Sequence, residues 1–326
     1  MRITLIALVV CATSAVTQPA REPLTAAGIV PMPGVEGRID HLAVDLAGKR
    51  LFVAALGNDT VEVIDTSGLR VIKSISGLHE PQGIRFLPDR NRVVVANGGD
   101  GSTVFYDGTT LAPVRAAKTS GDADNVRYDP KTGRVYVGYG DGALGSFDPD
   151  GKPLGDVKLA GHPESFQLES SGPRIFVNVP SAGHVAVLDR DKQTVTATWR
   201  VTAAGANYPM ALDEANRRLF LGCRRPAKLL VYDTQSGTFV TAVDIVGDTD
   251  DLFYDSTQKR LYVIGGEGLI TVLEQQDADH YRLVQKIPTA AGARTGLFVP
   301  ELGKLFVAVP HRGAQRAEIR VYNSSP

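Results

Sequence analysis

A five-residue apolar alternation ending in an acidic or aliphatic residue recurs through the chain. It spans His41–Asp45, Gly83–Leu87, Asn125–Asp129, Ser165–Glu169, Pro209–Asp213, Asp251–Asp255 and Thr295–Val299, with end points spaced by 42, 42, 40, 44, 42 and 44 residues. After each copy come a polar turn, a basic residue and a β-rich run: Arg50-Leu51-Phe52-Val53, Arg92-Val93-Val94-Val95 and Arg134-Val135-Tyr136-Val137 are the first three. A repeat of this period means that one supersecondary unit is copied and that each copy needs its neighbours to cover its apolar face. No 3.6-residue periodicity runs through the unit, so stacked helix pairs are excluded.

Each unit holds two further strand-like runs, for example Val61–Asp65 and Val71–Ile75 in the first. Four short strands per period predict an all-β chain of seven β-propeller blades, each of four antiparallel strands. Past Val299 only two strand-like runs remain, and Leu24–Val30 is an unused strand-like stretch. That stretch is expected to supply the fourth strand of the last blade, because closure is how such a ring hides its edges.

Met1-Arg2, the apolar run Ile3–Ala12 and the small residues from Thr13 onward have the layout of a secretory signal peptide, with cleavage expected between residues 14 and 20. The run is too short to span a bilayer, which needs about 20 apolar residues. The expected organisation is a signal in 1–20 and one propeller in 21–326, periplasmic or secreted and monomeric. Loss of Cys11 with the signal leaves Cys223 without a disulfide partner, as a buried inert thiol. Lys and Arg number 35 against 36 Asp and Glu, a formal charge of -1, so binding of nucleic acid through net positive charge is excluded.

Arg50–Thr66 and Pro81–Asp89 resemble the repeat of YVTN-type β-propeller proteins, the YncE-like family, over nearly the whole mature chain. The Tyr-Val-Thr-Asn core itself survives only loosely, as Phe52–Ala55 or Phe176–Val179. The resemblance implies an exported seven-bladed propeller. The broader superfamily adds lactonases, a streptogramin lyase and quinone-dependent redox proteins as candidate activities.

Ligands of propellers meet the face where the inner strands begin. At that level the repeat places Asp40, Gln82, Asp124, Glu164, Tyr208, Asp250 and Arg294, followed by His41, Asn125 and Asp251, with Asp122, His162 and Asp248 just outside. An architectural ring would repeat one residue type, whereas these differ from blade to blade. Asp40, His41, Gln82, Asp124, Asn125, His162, Glu164, Tyr208, Asp250, Asp251 and Arg294 are therefore expected to form an asymmetric, acidic pocket. Crowded carboxylates repel, and a cation relieves them. Asp124, Glu164 and Asp250 are candidate ligands of a divalent ion, calcium or magnesium by their oxygen donors, zinc or manganese if a histidine joins them. The alternative, that wet-channel and strand-entry positions are polar for structural reasons alone, applies to each residue singly.

Asp65, Asp129, Asp213 and Asp233 recur at strand ends and read as turn residues. Gly-x-Ser-x-Gly, His-Glu-x-x-His, Walker and Cys-x-x-Cys-His motifs are absent from the sequence. The expected function is an exported binding or interaction module for a small molecule or a peptide or protein segment. The alternative is a metal-dependent lactone or ester hydrolase, or a lyase, using the same carboxylates.

Overall fold

The computed structural model describes residues 22–325. The expected signal peptide, its cleavage region and Cys11 lie outside them. Within them the chain forms seven four-stranded sheets. Blade one holds β2 (Leu42–Asp45), β3 (Arg50–Ala55), β4 (Thr60–Asp65) and β5 (Arg70–Ile75), paired antiparallel in chain order from the hub outward. Blades two to six repeat this order. In the seventh the outermost place goes to β1 (Leu24–Pro31), which pairs antiparallel with Glu318–Ser324, so the N-terminal strand closes the last blade as expected.

The inner strands touch in succession around the hub, and the seventh, Gly296–Val299, touches β2 to close the ring. The second strand of each blade reads as an unbroken apolar run because both of its faces are covered. In β3, Leu51, Val53 and Ala55 pack toward blade seven, while Phe52 and Ala54 pack toward blade two. The core is accordingly divided among seven clusters, one for each junction between neighbouring blades. Each outer strand pair of blades one to six carries a bulge, as between Val63 and Ile64, adding local twist where the blade fans outward.

The strand-end aspartates hold turns. Asp45 accepts from Gly48 N at 2.9 Å, and its other oxygen takes the Arg50 guanidinium at 2.6 Å. Asp65, Asp129 and Asp233 accept from backbone N–H groups two or three residues on. The basic residue opening the second strand serves the turn before it in blades one and four, where Arg50 meets Asp45 and Arg174 meets Glu169; in blade five Arg218 reaches Asp233 and Asp279 instead. Cys223 is buried, and burial pushes its thiol up to about 12, an inert thiol as expected. No helix among the described residues is long and apolar enough to cross a membrane.

Candidate functional site

The first residues of the inner strands are locked to the second strands by a recurring pair of backbone hydrogen bonds. Asp40 N donates to Ala54 O (2.8 Å) and Ala54 N to His41 O (3.0 Å); Asp124 N donates to Gly138 O (2.9 Å) and Gly138 N to Asn125 O (3.1 Å). Neighbouring blades are also tied to one another, His41 N to Gln82 O and Asp251 N to Arg294 O. In five blades the residue two places before the mouth position has positive φ: Glu80, Asp122, Ala206, Asp248 and Gly292. Four of these are not glycine, a backbone cost that packing must hold in place. Gly83 is required by close approach, since a Cβ there would stand 1.8 Å from Asp124 O. The mouth is therefore a rigid backbone frame.

That frame brings ten of the eleven expected pocket residues around one cavity of about 320 Å³: Asp40, His41, Gln82, Asp124, Asn125, His162, Glu164, Tyr208, Asp250 and Arg294. Asp251 lies deeper, lining the channel beneath, where its carboxylate accepts from Gly296 N at 2.8 Å and stands 3.5 Å from His41 Nδ1. The cavity also has Arg38, Asp122, Ser165 and Arg224 in its wall. Arg224 escapes the repeat alignment because it comes from a second strand, Arg218–Arg225, which runs two residues longer than β3. That extra length is visible in the sequence as a strand without the usual glycine turn.

The mouth is not simply acidic, because most of its carboxylates already have cations. Arg38 holds Asp40 at 2.9 Å, and Arg224 holds Asp250 at 2.5 Å while lying 3.7 Å over the Tyr208 ring. Arg294 pairs with Asp248 at 3.0 Å and Asp250 at 3.4 Å, two partners in blade six, so it pins the sixth junction and leaves Asp40 to Arg38. His162 Nδ1 lies 2.8 Å from Gly140 O and 3.4 Å from Asp122, whose carboxylate also takes the Gln82 amide at 3.3 Å.

His41 is the central cation. Burial alone would lower its pKa, but Asp251, Asp40 and Asp124, at 3.5, 3.7 and 3.6 Å, together raise it to about 10. At neutral pH it is an imidazolium inside a triangle of aspartates.

Asp124 shares the His41 charge without a hydrogen bond to it, and Glu164 has neither. Asp124 Oδ1 is buried and accepts no hydrogen bond, as is the Asn125 side-chain oxygen beside it. Burial raises the Asp124 pKa and outweighs the opposing charge of His41. Glu164 has no cation in contact among the described residues; burial first, then the Asp124 and Asp250 charges, push it up to about 9. Asp250 is also raised, by burial, against the pull of Arg224. The arrangement can accept N–H donors, give up protons as it does so, and hold a positive charge. Among the described residues no three of His, Cys, Asp and Glu are gathered as ligands of one metal ion would be.

No family model and no curated protein matches the chain. Solved structures do. A chain of the mitotic checkpoint complex superposes with a TM-score of 0.78 at 13% identity, covering all of both chains. A chain of hydrazine synthase from Kuenenia stuttgartiensis superposes with a TM-score of 0.75 at 15% identity, covering 85% of this chain and 92% of that one. Identity this low carries the architecture and no activity: the chain is a seven-bladed β-propeller.

Proposed function

We propose that this chain is an exported β-propeller binding protein of the YVTN type whose channel mouth takes a protonated amine, on a small molecule or at a peptide's N-terminus or lysine. The observation that carries this reading is the pair of acceptors without donors: Asp124 Oδ1, buried and unbonded, beside Glu164, which lacks a cation. An ammonium group supplies donors to Asp124, Asn125 and Glu164 together and restores charge balance where the arginines do not reach. A buried acceptor left unmade costs about 1–3 kcal/mol, which a bound N–H donor recovers.

Binding of a cation lowers the Glu164 pKa, so each binding event releases a proton, and affinity rises as the pH climbs from 6 toward about 9. The test is calorimetric titration with butylamine in buffers of different ionisation heat. Expected are tighter binding at pH 8.5 than at pH 6.5, proton release, and about tenfold or greater weakening in Asp124→Asn and Glu164→Gln. Butylamine binding that ignores both substitutions overturns the reading. Stoichiometric calcium or zinc, lost in Asp124→Ala/Glu164→Ala, replaces the amine by a metal and reopens the hydrolase alternative. Mass determination of the protein recovered from outside the cytoplasm tests removal of residues up to 14–20.

A further inference from the structure

Below the mouth lies a second cavity of about 350 Å³, sharing the walls His41 and Ser165 with the first. One inner-strand position per blade is paired with the third residue of the neighbouring second strand: Ala43, Arg85, Arg127, Gln167, Ala211, Phe253 and Leu297. Of these Arg85, Arg127, Gln167, Phe253 and Leu297 line the cavity, while the two alanines are buried between blades. The repeat makes these seven positions equivalent, and their occupants are sorted by side. Adjacent blades two and three carry the arginines, and adjacent blades six and seven carry Phe253 and Leu297. The alanines of blades one and five separate the two arcs.

Two neighbouring guanidinium groups in a channel repel, and an arginine partly buried there, as Arg127 is, normally comes with a carboxylate; Arg85 stays exposed to the channel. Here neither forms an ion pair among the described residues. Arg127 donates to Val126 O at 3.0 Å and to Ser165 Oγ at 3.3 Å, and Arg85 makes no side-chain hydrogen bond among the described residues. Glu301 acts on Arg85, and Asp251 and Asp124 on Arg127, only from beyond contact. Enclosure and the presence of Arg85 draw Arg127 down to about 10. The Gln167 amide is committed to Met210 O at 2.7 Å and forms wall. Arg85 also lines the cavity at the opposite face, beside Asp45, Arg50 and Glu301, so the waist can be reached without passing His41.

We infer that the channel waist is an anion site for an organic carboxylate, the carboxylate seated between Arg85 and Arg127 and its hydrocarbon part against Phe253 and Leu297. Guanidinium groups match a carboxylate's two oxygens in geometry as well as charge. The apolar arc opposite sets the class: a bare inorganic ion leaves Phe253 and Leu297 facing water, whereas an alkyl carboxylate covers them. The site is separate from the amine reading at the mouth, sharing none of Asp124, Asn125 or Glu164, and the Asp124 charge reaches Arg127 only from beyond contact.

The test is a thermal-shift and calorimetric titration of the full chain with octanoate, compared with octanamide, acetate and chloride. Octanoate is expected to raise the melting temperature with concentration and to bind about tenfold or more tightly than octanamide or acetate. Arg85→Gln/Arg127→Gln should lose about tenfold or more in octanoate affinity while melting no lower than the parent, because like-charge repulsion is removed. Phe253→Ala should narrow the preference of octanoate over acetate. Equal binding of octanoate and octanamide, which needs no variant, overturns the inference, as does unchanged affinity in the double variant or chloride binding as tightly as octanoate. Loss of butylamine binding in Asp124→Asn with octanoate binding intact separates the two sites.

Discussion

At the scale of single residues the mouth turns on His41. Its imidazolium faces Asp40, Asp124 and Asp251, so removing it leaves three carboxylates crowded without their shared cation. Breaking a buried ion pair from one side costs about 3–5 kcal/mol, and His41→Gln should lower stability by about that much in urea titration. A loss below about 1 kcal/mol would mean that the imidazole is not charged there. Glu164 acts in the same direction with pH. Its folded pKa of about 9 lies above its ordinary 4.5, so the native state keeps a proton that the unfolded chain releases, and stability falls as pH rises through that window. His41, raised from 6.5 to about 10, contributes stability that is present below 6.5 and lost as pH rises through 10. The melting temperature should therefore decline from pH 6 to pH 9. Glu164→Gln, which holds a neutral group in place at every pH, should flatten that decline.

At the scale of the element the strand that matters most is β1. It buries Leu24 in the junction of blades six and seven and Val30 in that of blades seven and one, with Met32 just beyond its end. Gln285, in the outer strand of blade six, clamps the backbone of Leu24 from both sides, accepting from its N–H at 3.0 Å and donating to its C=O at 3.1 Å. Three buried aliphatic side chains at roughly 1.5–3 kcal/mol each make deletion of residues 24–32 cost more than about 5 kcal/mol. It also strips the edge of Glu318–Ser324. A sharply lower or aggregation-limited melt is expected in circular dichroism, and an unchanged melt would contradict closure through β1.

Strands of this kind were legible in the sequence because Leu51 to Ala55 and their equivalents are buried on both faces, and a turn aspartate and a basic residue mark their entry. Arg224 was legible only as one of several polar residues in the connections of the mouth face; its place in the pocket comes from a strand that overruns the repeat, and repeats reveal what recurs. Asp251 was placed at the mouth by register, yet its carboxylate bonds Gly296 N below. Register fixes which strand position a residue holds and leaves open which way its side chain leans.

At the scale of the whole molecule the ring has no privileged beginning. Ser325 N donates to Pro23 O at 2.9 Å, so the two ends of the described chain lie side by side. A circular permutant joining them by a short linker, with new ends in the exposed turn at Asp277–Asp279, should fold to the same wheel and melt within about 5 °C of the parent, since surface turns tolerate such cuts. A drop comparable to that of the β1 deletion would show that chain order, beyond contact, contributes to closure.

The hub has a consequence for how such proteins diverge. Each blade lends the axis one side chain at a given height, so residues that share a ligand are written some forty positions apart, each inside a different copy of the same unit. Drift can rewrite the axis letter by letter without disturbing a single sheet. Two wheels can then share their spokes at 13% identity, whatever stands at the axle of each.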